Sequence, residues 1–346
     1  MNATVSSLPD SLVFSHDGDP GYTRRRAGKG FAYYDDRGSL LRSDEIRDRL
    51  RKLAIPPAYS DVWFCRNPRG HLQATGIDDR GRKQYRYHAD WSEWRSRQKF
   101  DGLLDFSKVL PAIRRAVRSQ MDSSDLTKHS VVAAVVKLLD KTALRIGNDT
   151  YQKQYGTAGL TTLRHRHVTT EDGFLQLNFR AKGGEKREFD LYLPSLAAVV
   201  EKLEDLPGQR LFQYYEEGGD ALHPVTSSDV NEWLKEVSGL DISAKDFRTW
   251  RASHLTLDHL LRSEPSEGAR ERVSQENEAL KATSKELGHR PPVCRKHYVH
   301  PMILQHHRDG TLRTMVKPSI SKKGLSASEN QLVAFLRRLR RAKAAE

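Results

Sequence analysis

Residues 174–192 read Phe174-Leu-Gln-Leu-Asn-Phe-Arg-Ala-Lys-Gly-Gly-Glu-Lys-Arg-Glu-Phe-Asp-Leu-Tyr192. Apolar and polar side chains alternate to Arg180, a glycine turn follows, and alternation resumes from Arg187, which predicts a β-hairpin. The hairpin stands alone in a stretch otherwise patterned as helix. Upstream, Val131, Val132, Val135, Val136, Leu138 and Leu139 fall in a predicted helix from about Ser124 to Arg145, apolar around much of its circumference and so expected to be deeply buried. Downstream, helices are predicted near Leu196, near Asp229 and from Ser243. Another runs from Ala269 to Leu287, with Val273, Leu280 and Leu287 a heptad apart and Gly288 as its stop. A basic helix ends the chain, with Leu332, Phe335, Leu336 and Leu339 on one side.

Before Asp90 the pattern changes. Phe31–Tyr34, Val62–Cys65 and His71–Thr75 are short β-prone runs set off by turn signals such as Asn67-Pro-Arg-Gly70. One helix, roughly Ser43 to Leu53, interrupts them. The expected fold class is therefore α+β, with a small β-rich N-terminal domain over 1–92 and a larger, mainly helical domain over 93–346 that carries the hairpin.

The 346 residues include 58 Lys and Arg against 45 Asp and Glu, a formal net charge of +13. Such an excess on a folded chain points to a polyanion, nucleic acid first and an anionic membrane surface second. No apolar run reaches the ~20 residues of a membrane span. The N-terminal stretch lacks a basic region followed by an apolar one, so no secretory signal is expected. Two cysteines, Cys65 and Cys294, are too few for a disulfide framework and fit a reducing cytoplasm. No G-x-x-x-x-G-K-[ST] loop and no H-E-x-x-H occur. Asp17-Gly-Asp19 before Pro20 reads as a turn. Cys294 sits in a basic segment that could activate a thiol, but an inert thiol is the expectation.

Four segments carry polar groups at helix boundaries or in the hairpin. Thr142-Ala-Leu-Arg-Ile-Gly-Asn148 closes the buried helix, and its arginine would ordinarily serve the helix dipole. Lys182 lies in the hairpin turn, where a solvated lysine is the ordinary reading. Ser243-Ala-Lys-Asp-Phe-Arg-Thr-Trp-Arg251 has capping-box spacing, and its two arginines near a helix N-terminus oppose the dipole, which suggests an anion, a solvated face being the ordinary reading. Leu287-Gly-His-Arg-Pro-Pro-Val-Cys-Arg-Lys-His-Tyr298 stops one helix and opens a short one, on which Tyr298 would lie.

In this order the four segments resemble the active site of type IB DNA topoisomerases of the poxvirus-like and bacterial branch. Gly21-Tyr-Thr-Arg-Arg-Arg-Ala-Gly-Lys-Gly-Phe31, Ile55-Pro-Pro-Ala-Tyr59 and Thr75-Gly-Ile-Asp-Asp-Arg-Gly-Arg-Lys-Gln-Tyr85 resemble that branch's N-terminal domain. The resemblance implies the catalytic fold shared by tyrosine recombinases and type IB topoisomerases. It implies Tyr298 as nucleophile, Arg145, Arg248 and His289 as donors to the non-bridging phosphate oxygens, and Lys182 as general acid. It further implies ATP- and metal-independent relaxation of supercoiled DNA through a 3′-phosphotyrosyl intermediate, with no cofactor. A monomer would clamp duplex DNA with both domains, in the cytoplasm at the nucleoid. Gln84, Tyr85 and Tyr87, in a run that includes Lys83, match DNA-contacting positions, as does Tyr151. The segment from Ser263 to about Glu276 is assigned no role.

Two rivals remain at this point. A tyrosine recombinase usually has histidine three residues before the second arginine, where this chain has Lys245, and a helical N-terminal domain. A non-catalytic DNA-packaging protein would form no covalent adduct with DNA.

Overall fold

In the computed structural model, which describes residues 8–122, 125–149, 152, 155–216, 219, 221–316 and 321–345, the chain divides into two units, Met1–Lys99 and Phe100–Glu346. The first holds a five-stranded antiparallel sheet in the order β2-β1-β3-β4-β5. Its strands are β1 (Gly21–Ala27), β2 (Gly30–Tyr34), β3 (Ser60–Cys65), β4 (Leu72–Ile77) and β5 (Lys83–Tyr87). Helix α1 (Asp44–Lys52), capped by Ser43, sets Leu50 against Tyr33, Val62, Phe64 and Ala74 to make a small core.

Strand β1 has no obvious β signature in its Thr-Arg-Arg-Arg run. It forms because it is flanked on both sides, and because Arg24 and Arg25 lie over the rings of Phe31 and Tyr34 at 4.2 and 4.8 Å. Arg24 also donates to the Ile55 carbonyl at 2.8 Å. Strand β5 is an edge strand, and helix α2 (Ala89–Asp101) follows it. The boundary expected at 92–93 falls inside α2, whereas the two units divide at Lys99 and Phe100.

The second unit is built on α3 (Leu103–Met121) and α4 (Lys128–Thr142). Helix α4 is shorter than expected at both ends. Thr127 caps it, and it stops at Thr142 because Ala143 turns left-handed at φ 49°; Ser124 lies outside the described residues. Its valines and leucines are fully buried. The hairpin forms as β7 (Phe174–Arg180) and β8 (Lys186–Tyr192), with Leu177 opposite Phe189, and β6 (Val168–Glu171) adds a third strand. Leu175, Leu177 and Phe179 point into the core, as the alternation requires.

Then come α5 (Pro194–Glu204), the short pair β9 (Gln213–Tyr215) and β10 (Leu222–Pro224), α6 (Ser227–Ser238) and α7 (Ala244–Arg262). They are followed by α8 (Ala269–Leu287), α9 (Pro291–His297), α10 (Pro301–Arg308), α11 (Leu312–Met315) and α12 (Ala327–Lys343). On α8, Leu280 and Leu287 are buried but Val273 is exposed, because a straight helix drifts by ~20° per heptad. Arg114 of α3 joins three elements, donating to Asp140 of α4 and Glu329 of α12 at 2.8–2.9 Å. Among the described residues no helix is long and apolar enough to cross a membrane.

Candidate active site

Arg145 does not belong to α4, as the sequence suggested; it follows the break at Ala143 on an extended strap. The strap is held by backbone bonds. Leu160 N donates to Arg145 O at 2.9 Å and Thr161 N to Ile146 O at 2.7 Å. Gly147 takes φ +104°, which suits glycine. A Cβ at Gly159 would lie 2.6 Å from the Gly147 Cα and 2.7 Å from the Arg145 carbonyl. Two backbones therefore touch here, which fixes the root of the Arg145 side chain.

Arg248 follows the capping box at the start of α7, where Asp246 accepts from Ser243 N at 2.8 Å. It is only 4% exposed. No carboxylate meets it among its described bonds. It donates instead to the carbonyls of Ala143 and, at 2.9 Å, of Leu287. These are the C-terminal ends of α4 and α8, where carbonyls are unpaired and the dipole is negative. Burial, reinforced by Arg145, still pulls its guanidinium down to about 10. Arg251, one turn on, pairs with Glu286 at 2.7 Å.

His289 is placed by the end of α8. Gly288 is left-handed at φ 64°, its N–H donates to Lys285 O, and His289 N donates to Ser284 O at 2.9 Å, a Schellman closure. The imidazole then stands between the two arginines. Arg145 Nη2 lies 3.1 Å from Nδ1 and Arg248 Nη2 lies 2.5 Å from Nε2. Burial, then the charges of Arg248 and Arg145, push this histidine down to about 3, so it is neutral. A neutral ring accepts at one nitrogen only, while guanidinium groups only donate. The cluster thus has more donors than acceptors and suits an anion.

Tyr298 is the residue just after α9 rather than part of it. Its ring stacks on His289 at 4.5 Å and 17°, and the Arg248 guanidinium lies 5.4 Å from its centroid. Ser253 of α7 donates to the Tyr298 carbonyl at 3.2 Å and accepts from His300 N at 3.1 Å. Helix α9 is also tied down by Arg295, which pairs with Glu276, a fully buried carboxylate of α8 that holds Arg308 of α10 as well. Cys294 is buried, which raises its thiol to about 11; the basic segment does not activate it.

Lys182 is exposed on the hairpin turn, where Gly183 and Gly184 take φ +90° and +77°. A cavity of about 290 Å³ is lined by Arg145, Lys182, Arg248 and Tyr298 together with Lys245 and Asn148. In the sequence Lys245 stands out only as the residue found where recombinases carry histidine. Its signal was spacing, since it precedes Arg248 by one helical turn.

In the first unit, Tyr85 and Tyr87 are 52% and 41% exposed on β5 and stack at 6.2 Å. Lys83 pairs with Asp17, and Gln84 donates to Asp78 at 2.9 Å. Asp17 and Asp19 sit in the expected turn, where Asp19 accepts from His16 N. Tyr151 lies outside the described residues.

Residues 88–317 match the family model described as eukaryotic DNA topoisomerase I, catalytic core, and residues 30–78 match bacterial DNA topoisomerase IB, N-terminal domain. DNA topoisomerase 1B of Acanthamoeba polyphaga mimivirus is 31% identical over 286 residues, covering 81% of this chain and 85% of its own. DNA topoisomerase 1B of Vaccinia virus (strain Copenhagen) is 22% identical over 256 residues, 72% of this chain and 77% of its own. DNA topoisomerase 1 of Daucus carota is 29% identical over 170 residues, 48% of this chain but only 20% of its own. With one family model spanning most of the helical unit, another lying in the β-rich unit and a viral relative aligned along most of both chains, this chain belongs to the type IB DNA topoisomerases, enzymes of the isomerase class.

Proposed function

We propose that the chain relaxes supercoiled DNA by breaking and resealing one strand through Tyr298, without ATP or a metal ion. The observation that carries this reading is the meeting of Arg145, Lys182, Arg248 and Tyr298 at one cavity, with His289 held between the two arginines. Tyr298 Oη attacks the scissile phosphorus. The P–Oη bond forms as the P–O5′ bond breaks, leaving a 3′-phosphotyrosyl link and a 5′-hydroxyl. The phenolic proton passes to water, since a histidine held near 3 is a poor acceptor. Lys182 gives a proton to the leaving 5′-oxygen. Charge growing on the non-bridging oxygens meets the forked donors of Arg145 and Arg248 and a hydrogen bond from His289. One phosphoester replaces another, so religation is the same exchange in reverse and needs no nucleotide.

Duplex DNA is bound by a monomer, in the cytoplasm at the nucleoid. Lys83, Gln84, Tyr85 and Tyr87 of the first unit contact it, and Tyr151 is assigned the same role. The support is the net charge of +13 and the exposed aromatic edge of β5. Plasmid relaxation in EDTA without nucleotide, followed by a denaturing gel for protein–DNA adducts, tests the reading. Relaxation with an adduct at Tyr298 is expected. A strict magnesium requirement overturns metal independence. Strand exchange between two duplexes would favour a recombinase, and binding with no adduct a packaging protein.

A further inference from the structure

The hairpin that carries Lys182 has an anchor of its own. Arg187, at the start of β8, reaches the last turn of α8. Its Nη1 donates to the Lys285 carbonyl at 2.9 Å and its Nη2 to the Glu286 carbonyl at 2.5 Å. The Lys285 carbonyl also accepts the capping Gly288 N–H, and both carbonyls belong to the negative end of the dipole, so a forked cation fits them. The guanidinium lies 4.9 Å from the ring of Phe189, which braces it from its own strand. Contact continues to Gly288. A Cβ there would lie 2.9 Å from Arg187 Nη1 and 3.2 Å from Glu185 Oε2. The hairpin therefore seats two side chains on the residue that precedes His289.

Gly183 and Gly184 restrict the backbone weakly, and the turn is closed by two backbone bonds, Ala181 N to Glu185 O at 2.8 Å and Gly184 N to Ala181 O at 2.9 Å. Burial makes Arg187 costly to place, since it holds the guanidinium below its ordinary range. The two carbonyl bonds and the nearby Glu185 and Glu286 offset that cost.

We propose that Arg187 is a positioning residue: it clips the hairpin bearing Lys182 to the α8–His289 junction, so that the general acid and the oxyanion donor are registered on one another. This rests on the role given to Lys182 above. A misplacement of about 1 Å costs ~10²-fold in rate, so Arg187→Ala should slow single-turnover cleavage by ~10–100-fold, with DNA affinity within a few-fold of wild type. A purely structural lesion would slow every substrate alike. A misplaced acid would not, because a 5′-bridging sulfur leaves as a thiolate and hardly needs a proton.

The full-length chain should be assayed as wild type, Lys182→Ala, Arg187→Ala and Arg187→Lys, on duplexes with a 5′-bridging oxygen or sulfur. Both alanine variants should recover most of the wild-type rate on sulfur. Arg187→Lys should retain only part of the rate on oxygen, because it keeps the charge but loses the fork. If Lys182→Ala is rescued and Arg187→Ala is not, or if Arg187→Ala cleaves the oxygen substrate normally, the inference falls. If Lys182→Ala itself is not rescued, the acid assignment falls instead. The anchor is then judged by hydrogen exchange: the amides of Ala181 and Gly184 should exchange faster in Arg187→Ala while α7 and α8 stay protected. Unchanged exchange in the turn would overturn it.

Discussion

Among the groups at the cavity, the Tyr298 oxygen alone would form a covalent bond in the proposed reaction, while the cations form contacts. Tyr298→Phe should therefore abolish DNA adducts yet leave non-covalent affinity within a few-fold, measured on denaturing gels and by titration. An adduct at another tyrosine would refute the assignment. A second residue speaks to pH. His254 is buried beside Trp250 and Ser328, and burial, with Arg251 and Arg114 adding and Glu329 opposing, holds it at about 4 against 6.5 when unfolded. The unfolded chain then binds more protons between those values, so stability falls as pH drops from about 6.5 to 4 and levels off below. The loss at full protonation is about 3 kcal/mol. His254→Gln should flatten the slope of unfolding free energy against pH in that window; an unchanged slope would be evidence against it. The five candidate site residues were legible only through a resemblance that rests on their order and on the His289-to-Tyr298 spacing. Their exact footing was not. Ala143 takes a left-handed turn that glycine usually signals, so Arg145 looked helical, and Tyr298 falls one residue past a helix end that no side chain marks.

Helix α9 holds Tyr298 in place partly through one carboxylate. Glu276 lies in the stretch that sequence left without a role, because the value of a buried acid depends on partners distant in the chain, here Arg295 and Arg308. Glu276→Ala would leave two arginines without a carboxylate, Arg295 keeping only its bond to Asn277. Both retain partial access to water, so the cost should be about 2 kcal/mol, between the limits for exposed and buried pairs. A fall in the denaturant midpoint, with slower cleavage but the adduct still on Tyr298, is the expected result. An unchanged midpoint would show that α9 is held by its apolar contacts alone. At this scale the main hairpin and helices α1, α4 to α9 and α12 could be read from the sequence, whereas α2, α3, α10 and α11 were not singled out. Strands β1, β6, β9 and β10 could not be read, because arginine runs and three- or four-residue strands take their conformation from neighbours rather than propensity.

For the whole molecule, the α+β class followed from composition and pattern, because a switch of period along the chain is a long-range signal that local errors do not erase. The charge of +13 makes its own claim. DNA affinity should fall steeply with salt, with a log–log slope near −0.9 per phosphate neutralised, and a flat response would mean that the excess is not used on DNA. Gly147 and Gly159, whose backbones meet beneath Arg145, bear on inheritance. Any allele that places a side chain at 159 must part that seam and carry the arginine with it. A genetic screen for dead enzymes would thus return Gly159 alleles beside those of Tyr298 and score both as lesions of chemistry, although Gly159 carries no reacting group.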